Sequence, residues 1–258
     1  MGQVVGVIPG AAPQLLMAEG GLADASAALP SARPVPVGDG IGAVLAEPGS
    51  PAPPGLAWRA ARAALPALPP QDQPVALRAV AVANWRSQGR FCPACGGPVE
   101  PDWPRQGFIC AREGRPVFPR TDPCVITAIL DRDDRLLLSH ASNHQAGVYT
   151  LVAGFVEAGE PLEAAVRREA FEEVGLELAG ARFIRSQAWP FPGSLMASFA
   201  ALAATTEISV DGDEILDAAW FTRPQLARAL DSGRVTLPMD YSVARQTIEA
   251  WRSGALAW

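Results

Sequence analysis

The chain has 258 residues, of which 49% are hydrophobic and 19% charged, and its formal net charge at pH 7 is −6. This length can hold more than one domain, and the composition is that of a water-soluble globular protein. The acidic balance, with an isoelectric point of about 5.0, argues against a protein that mainly coats nucleic acid or an anionic membrane.

The first residues do not have the pattern of a secretory signal, because no basic residue precedes Arg33 and the apolar stretch stops at Pro9. No apolar run approaches the length of a membrane span. The four cysteines indicate a metal site or a buried thiol before disulfides. We therefore expect a cytoplasmic protein without a membrane partner.

Three segments follow one another, and we predict an N-terminal domain over 1–88, a zinc-ribbon-like segment over 89–119 and a third domain over 120–258. The first contains two short apolar pieces, QVVGVI and IGAVLAE, which are typical of strands. Apolar residues at helical spacing predict a helix over 75–90, and the proline-rich stretches 50–55 and 66–74 are typical of loops.

After residue 120 the sequence alternates between apolar strands and a few separated helices. The predicted strands are 123–130, 135–140, 148–155, 181–189, 194–204 and 217–222. The predicted helices begin near residue 161, at residue 223 and near residue 241. Strands with few, separated helices predict an α+β fold.

The first of these helices is unusually acidic: residues 154–178 contain seven glutamates. Glu169, Glu172 and Glu173 share one helix face, where like charges repel each other. A hard divalent cation such as Mg²⁺ or Mn²⁺ would relieve that repulsion. From the residues alone, a solvated acidic face is the other interpretation. Pro161 suits the first helical position, and Gly175 suits the left-handed position after the helix.

The spacing of Gly154, Glu160, Arg168-Glu169, Glu172-Glu173 and Gly175 resembles the signature of the Nudix hydrolases. The resemblance implies an α/β/α sandwich that hydrolyses a nucleoside diphosphate linked to another group. It also implies Mg²⁺ or Mn²⁺ on Glu169 and Glu173 with the Ala153 carbonyl nearby, and it makes Glu169, Glu172 and Glu173 the catalytic residues. Glu172 or Glu173 would accept the proton of the attacking water. We expect Arg168 to hold the carboxylates by charge-assisted hydrogen bonds, and Ala170, where the family has a larger aliphatic residue, to be a packing position.

The segment SQAWPFPGSLM, residues 186–196, resembles a motif of the NADH pyrophosphatase branch of this family, with Ala188 in place of a proline. Without the resemblance, an apolar loop in the core is the simpler interpretation. The resemblance places the dinucleotide against Gln187, Ala188, Trp189, Pro190, Phe191, Pro192, Gly193 and Ser194. Aromatic rings framed by proline suit the stacking of a flat base.

Five further roles are carried over from the same branch. Phe118 and Phe155 would contact the nicotinamide, Glu214 would add a carboxylate to the metal site, and Ala244 would contact substrate through its backbone. Arg59 is matched to a substrate-contacting arginine. The branch is typically a homodimer, in which Phe118 would complete the partner's pocket.

Cys92, Cys95 and Cys110 form three quarters of a zinc ribbon, and Glu113 stands where the family has a fourth cysteine. A carboxylate can bind Zn²⁺, so both a zinc site and a vestigial ribbon held by packing fit the sequence. Cys124 begins an apolar strand, where we expect it to be buried as a small hydrophobic residue.

The resemblance implies metal-dependent hydrolysis of the pyrophosphate bond of NADH and NAD⁺ to nicotinamide mononucleotide and AMP. It also implies removal of NAD caps from RNA 5′ ends. The alternatives are a Nudix hydrolase that prefers ADP-ribose or another nucleoside diphosphate sugar, a non-catalytic nucleotide-sensing regulator, and a zinc-ribbon nucleic-acid module.

Overall fold

The structure is a computed structural model that describes residues 4–10, 12–19, 21–25, 35–38, 41–102 and 107–258. The chain divides into two compact units, one of Met1–Thr121 with Ala188–Ser194 and one of Asp122–Gln187 with Leu195–Trp258. Among the described residues, no helix is both long and apolar enough to cross a membrane.

The first unit is built on a six-stranded sheet. Its strands are β1 (Val4–Ile8), β2 (Gln14–Ala18), β3 (Gly21–Leu22), β4 (Val35–Gly38), β5 (Ile41–Leu45) and β6 (Ala57–Ala60). They are arranged in the order β3-β2-β1-β5-β4, with β6 paired to β2. The strands predicted at QVVGVI and IGAVLAE are confirmed as β1 and β5, which pair in parallel.

Helices follow the sheet in this unit: α1 (Ala61–Ala64), a 3₁₀ turn (Leu65–Ala67) and α2 (Asp72–Gln88). The helix predicted over 75–90 is confirmed as α2, although α2 begins three residues earlier and ends two residues earlier. The predicted loop over 66–74 is wrong for its last three residues, because α2 begins at Asp72. Pro74 does not prevent this, since an N–H missing from the first turn of a helix has no intrahelical acceptor to lose.

The ribbon segment belongs to the first unit and forms its own three-stranded antiparallel sheet. Its strands are β7 (Val99–Asp102), β8 (Gly107–Cys110) and β9 (Pro116–Val117), with β8 in the centre. This sheet offers little apolar area of its own, which is why such a small element usually depends on a metal or on packing against a larger body.

The second unit has a six-stranded sheet and three helices. Its strands are β10 (Asp122–Leu130), β11 (Leu136–Ala141), β12 (Val152–Phe155), β13 (Leu178–Trp189), β14 (Ser194–Ala203) and β15 (Ile215–Phe221). Its helices are α3 (Leu162–Val174), α4 (Arg223–Asp231) and α5 (Val243–Arg252). The strand order is β13-β14-β10-β11-β15, with β12 paired to β10.

Alternate side chains of β10 supply the two faces of this sheet, since successive residues of a strand point to opposite sides. Val125 and Ile129 pack with the buried residues of α3, whereas Ile126 and Leu130 pack with those of α4 and α5. Helices therefore cover both faces, and the predicted α+β fold with an α/β/α sandwich is confirmed.

The limits of α3 place its glutamates. The prediction that Pro161 occupies the first helical position is wrong, because the helix begins at Leu162 and Pro161 precedes it. Gly175 follows the helix with φ 71°, and the predicted left-handed cap is confirmed. The same glycine has no room for a side chain, because a Cβ there would lie 2.9 Å from the Cβ of Ser209.

Candidate active site

The three glutamates of α3 differ in exposure. Glu169 and Glu173 are buried, with 8% and 3% of their surface exposed, and Glu172 is exposed. Strand β12 passes so close to the helix that a Cβ on Gly154 would lie 1.9 Å from the carboxylate carbon of Glu169. A side chain at Gly154 would therefore displace the carboxylate, which gives a physical reason for glycine at the start of the signature.

Arg168 organises these carboxylates, as the sequence predicted. Its Nη1 donates to Glu169 Oε1 at 2.7 Å and to Glu172 Oε2 at 2.9 Å. Its Nε and Nη2 each donate to Glu160 at 2.9 Å, and Nη2 also donates to the Phe155 carbonyl at 2.8 Å. All five N–H groups of the guanidinium thus have a partner, and such bidentate charge-assisted bonds fix geometry as well as adding stability.

Glu160 is drawn from the loop before α3 onto this arginine. Its carboxylate also accepts a hydrogen bond from the Glu157 backbone N–H at 2.9 Å. The bonds from Arg168, followed by the bond from Glu157, lower the pKa of Glu160. Glu160 is therefore an anion that holds Arg168 in place, and it affects the other carboxylates through Arg168.

Glu173 has the environment expected of a cation ligand. Its Oε2 is buried and has no hydrogen-bond partner in the described structure, while the Ala153 backbone N–H bonds to the carboxylate. Desolvation by burial, followed by the charges of Glu169, Glu214 and Asp211, raises the pKa of Glu173 to about 8.

A buried carboxylate oxygen without a partner is rare, because it forfeits the hydrogen bonds it would make in water. Burial also raises the pKa of Glu169, and the charges of Glu172 and Glu214 raise it further. Arg168 opposes that shift. This set of oxygen donors fits a hard divalent cation, which would supply the missing positive charge.

Glu214 lies in the exposed turn before β15, close enough for its charge to act on both buried glutamates. Asp211, which was not predicted as a site residue, shapes this turn. Its Oδ1 accepts from the backbone N–H of Asp213 at 3.0 Å and of Ile215 at 2.9 Å, on either side of Glu214. The sequence DGDE did carry a signal, since an aspartate side chain commonly accepts a hydrogen bond from the backbone N–H two residues on and so forms a turn.

Cys124 is buried with 7% exposure, which confirms the prediction for this residue. The sequence did not show that it lies near the carboxylates: in the sheet it stands opposite Phe155 of β12. Burial, followed by the charges of Glu169 and Glu173, raises the pKa of the Cys124 thiol to about 12. The thiol therefore stays protonated and inert at neutral pH.

Gln187 and Ala244 are brought together within the second unit. The Gln187 side chain donates to the Tyr241 carbonyl and accepts from the Val243 backbone N–H, both at 2.7 Å. These two bonds fix the start of α5, where Ala244 is buried in the first turn. Gln187 thus holds the segment that carries Ala244.

The rest of the motif, Ala188–Ser194, belongs to the first unit. Phe191 is buried, and its ring meets Trp189 edge to face at a centroid distance of 5.3 Å. The guanidinium carbon of Arg62 lies 4.8 Å from the Phe191 centroid and 5.7 Å from that of Trp189. Arg59, which the sequence analysis singled out, is exposed on β6 three residues earlier.

Trp189 is half-buried, whereas Ala188 and Pro192 are exposed. Gly193 is half-buried as well, so four residues of Ala188–Ser194 keep surface that a ligand can contact without rearrangement. Arg62 could not be predicted from the sequence, because nothing in the local sequence distinguishes it from Arg59.

Phe118 and Phe155 are both exposed, at 70% and 60% of their surface. Large aromatic side chains are usually more buried than this in a stable domain. Each ring therefore offers a face to a partner or ligand. Phe118 lies near the end of the ribbon segment in the first unit, and Phe155 lies at the end of β12 in the second.

The ribbon brings its four predicted ligands together. The sulfur atoms of Cys92, Cys95 and Cys110 and a carboxylate oxygen of Glu113 all lie within 4.8 Å of one another. Among the residues that the structure describes, this is the one group found at such spacing. Backbone N–H groups of Gly97 and Glu113 point at the sulfur atoms of Cys95 and Cys110, each at 3.4 Å. Backbone N–H groups also lower the pKa of Cys92. The bond from Gly97 acts in the same direction on Cys95, but burial and the two neighbouring thiols outweigh it and raise the pKa of Cys95 to about 11. Such N–H groups favour thiolates, so the cluster fits a zinc ion.

Residues 120–238 match the model of the NUDIX domain family. This part of the chain is a NUDIX domain. The match covers the acidic helix, the strand that carries Gly154 and the turn that carries Glu214.

Two curated relatives of the chain have similar names. NAD-capped RNA hydrolase NUDT12 of Homo sapiens is 36% identical over 200 residues, which make up 73% of this chain and 43% of that protein. NAD-capped RNA hydrolase NudC of Mycobacterium tuberculosis (strain H37Rv) is 40% identical over 185 residues, or 67% of this chain and 58% of that protein. The chain spans about half the length of the curated relatives it matches.

Among solved structures, a NUDIX hydrolase from Nitrosomonas europaea aligns with a TM-score of 0.48 and 19% identity. That alignment covers 64% of this chain and 90% of the other.

Proposed function

We propose that this chain is a metal-dependent NAD(H) diphosphatase. It cleaves the pyrophosphate bond of NADH and NAD⁺ to nicotinamide mononucleotide and AMP, and it removes NAD caps from RNA 5′ ends. The observation that carries the proposal is the buried Glu169–Glu173 pair, with one carboxylate oxygen unpartnered, in a domain whose curated relatives are named NAD-capped RNA hydrolases.

The metal site of this proposal consists of the carboxylates of Glu169, Glu173 and Glu214 with the carbonyl of Ala153. Mg²⁺ or Mn²⁺ bound there would neutralise diphosphate oxygens and lower the pKa of a water molecule for in-line attack. Arg168 holds Glu169 and Glu172 in place. Glu172 or Glu173 takes the proton of the attacking water.

The remainder of the dinucleotide is assigned to exposed aromatic and loop residues. Phe155 and Phe118 stack on the nicotinamide, and residues 187–194 contact the dinucleotide together with Ala244. We add Arg62, beside Arg59, as a positive group for the part of the dinucleotide that contacts residues 187–194. The reason is that Arg62 lies over the rings of Trp189 and Phe191.

The ribbon is proposed to hold a structural Zn²⁺ on Cys92, Cys95, Cys110 and Glu113. Support comes from the convergence of one oxygen and three sulfur donors, with N–H groups directed at two of the sulfurs. The division into an N-terminal domain (1–88), this ribbon (89–119) and the Nudix domain (120–258) belongs to the same proposal.

A homodimer and a cytoplasmic location complete the proposal. Sedimentation equilibrium of the purified protein tests the first. Fractionation of the native host cell, followed by detection with a specific antibody, tests the second.

The deciding experiment incubates the pure protein with NADH, ADP-ribose or NAD-capped RNA, each with Mg²⁺ or Mn²⁺, and separates the products by chromatography. We expect reduced nicotinamide mononucleotide and AMP from NADH, and RNA with a 5′ monophosphate from the capped RNA. A higher kcat/KM for ADP-ribose would favour the nucleoside diphosphate sugar hydrolase. Tight binding of NADH without turnover would favour the sensor.

A further inference from the structure

Asn84 of α2 is a buried polar residue with no part in the site described above. Only 2% of its surface is exposed. Asparagine is seldom buried to this degree, and an amide in that position is stable only when its hydrogen-bonding groups have partners.

The partners of Asn84 come from two distant places in the sequence. Its Nδ2 donates to the Pro190 carbonyl at 3.0 Å and to the Pro192 carbonyl at 3.3 Å. Its Oδ1 accepts from the Gly10 backbone N–H at 2.9 Å. All of these residues belong to the first unit.

The loop needs such a donor because of its prolines. Pro190 and Pro192 each contribute a carbonyl but no N–H, so this loop has more acceptors than its own backbone can satisfy. The two N–H groups of a single amide supply both missing bonds. An aspartate of the same shape would instead place a carboxylate oxygen, which is an acceptor, next to two carbonyl oxygens that are also acceptors.

The two carbonyls held by Asn84 flank Phe191, whose ring packs against Trp189 and lies under Arg62. Fixing the backbone on both sides of Phe191 fixes that ring. Through the edge-to-face contact it also fixes Trp189, which is half-buried and has surface left to offer a ligand.

We propose that Asn84 is a positioning residue, which holds the loop Ala188–Ser194 in the conformation that contacts the dinucleotide. This inference rests on the proposed function, because the loop is assigned to the substrate there. Asn84 is too buried to touch substrate itself, and it acts through the carbonyls of Pro190 and Pro192.

The test is Asn84→Asp, which keeps the acceptor for Gly10 and removes both donors. The matched control is Gln88→Glu, the same change of an amide to a carboxylate at an exposed position one turn later in α2. We expect Asn84→Asp to raise KM for NADH about ten- to a hundredfold, from the loss of two hydrogen bonds, with kcat changed only a few-fold. Mn²⁺ binding, measured by titration calorimetry, should be unchanged, and the control should behave as wild type.

A second measurement follows the loop without relying on activity. With 5-fluorotryptophan in all seven tryptophans, the ¹⁹F resonance of Trp189 is assigned by its absence in Trp189→Phe. In Asn84→Asp this resonance should shift or broaden while those remote from the loop stay in place. If Asn84→Asp does not fold, both measurements are made on Asn84→Ser, which keeps one donor. This variant should show intermediate changes in KM and in the Trp189 resonance.

An unchanged Trp189 resonance in the variant that folds would overturn the proposal, and so would a shifted resonance with unchanged KM. A wild-type protein that does not hydrolyse NADH would refute the proposed function instead. In that case the resonance still reports whether Asn84 holds the loop, and titration with AMP reports whether the loop binds a nucleotide.

Discussion

Glu173 combines burial, a carboxylate oxygen without a partner and a pKa raised to about 8, which together distinguish it from the other glutamates of α3. We expect Glu173→Gln to lower kcat by at least about a hundredfold, the usual scale for losing a key catalytic group. The measurement is steady-state hydrolysis of NADH with saturating Mn²⁺.

The matched control for that variant is Glu163→Gln, which makes the same change at an exposed position in the first turn of the same helix. It should retain wild-type activity. Near-normal turnover by Glu173→Gln would remove Glu173 from the metal site and would contradict the function proposed for this helix.

The raised pKa of Glu173 also predicts how the stability of the metal-free protein depends on pH. Between the ordinary glutamate pKa of about 4.3 and the folded value of about 8, the folded state keeps a proton that the unfolded state releases. The unfolding free energy therefore falls as pH rises through this range, by at most about 1.4 kcal/mol per pH unit from this group. Below pH 4 the contribution is fully present, and above pH 9 it is lost.

Urea unfolding in EDTA, from pH 5.5 to 8.5, measures this effect. The stability of wild type should decline relative to that of Glu173→Gln, whose amide has no proton to release. A difference between the two proteins that stays constant with pH would show that Glu173 is already ionised at neutral pH. Excess Mn²⁺ should suppress the decline in wild type, because the ion stabilises the carboxylate.

At the scale of elements, the ribbon places Glu113 in the position of a fourth zinc ligand, with Cys92, Cys95 and Cys110 within 4.8 Å. Its carboxylate is also 3.3 Å from Arg115, so it is held near the sulfurs by an ion pair that is exposed and therefore weak. We expect about one zinc ion per chain in purified protein, measured by elemental analysis.

Glu113→Cys should slow the loss of zinc to a chelator, because thiolate binds zinc more strongly than carboxylate does. Glu113→Ala should speed it. Glu100→Ala, which removes an exposed carboxylate from β7 of the same sheet, is the control and should change neither rate. Metal-free protein with unaltered unfolding and activity would mean that packing alone holds the ribbon.

At the scale of the whole molecule, we expect substrate choice to depend on aromatic side chains that the fold leaves exposed. Phe155 lies at the end of β12 with 60% of its surface exposed, and its backbone carbonyl is fixed by Arg168. A ring that stacks on the nicotinamide contributes about 1–3 kcal/mol, so Phe155→Ala should lower kcat/KM for NADH about ten- to a hundredfold. ADP-ribose has no nicotinamide, and its hydrolysis should change much less.

Phe171 provides a matched control, because it is an exposed phenylalanine with 61% exposure on α3. Phe171→Ala should leave the ratio of the two substrates unchanged. Equal losses on NADH and ADP-ribose in Phe155→Ala would show a general defect, and a wild type that prefers ADP-ribose would favour the nucleoside diphosphate sugar hydrolase.

Features that depend on local spacing could be predicted from the sequence alone. Helical periodicity put Glu169, Glu172 and Glu173 of α3 together, and the conformational freedom of glycine marked the end of that helix at Gly175. Two closely spaced cysteines and a third further on predicted three ligands of the ribbon cluster, and the resemblance to the family added Glu113 as the fourth. Strand periodicity likewise predicted the strands of the second unit and the α+β class.

The tertiary structure decided what depends on contacts between distant residues. Glycine is needed at position 154 because β12 lies so close to Glu169. Arg168 makes five hydrogen bonds, and two of its partners, Glu160 and Phe155, lie outside its own helix. Asn84 and Pro190 are separated by 106 positions. No local pattern encodes such a pair, because burial and the choice of hydrogen-bond partner are settled only when the chain has folded and water has left the groups that meet.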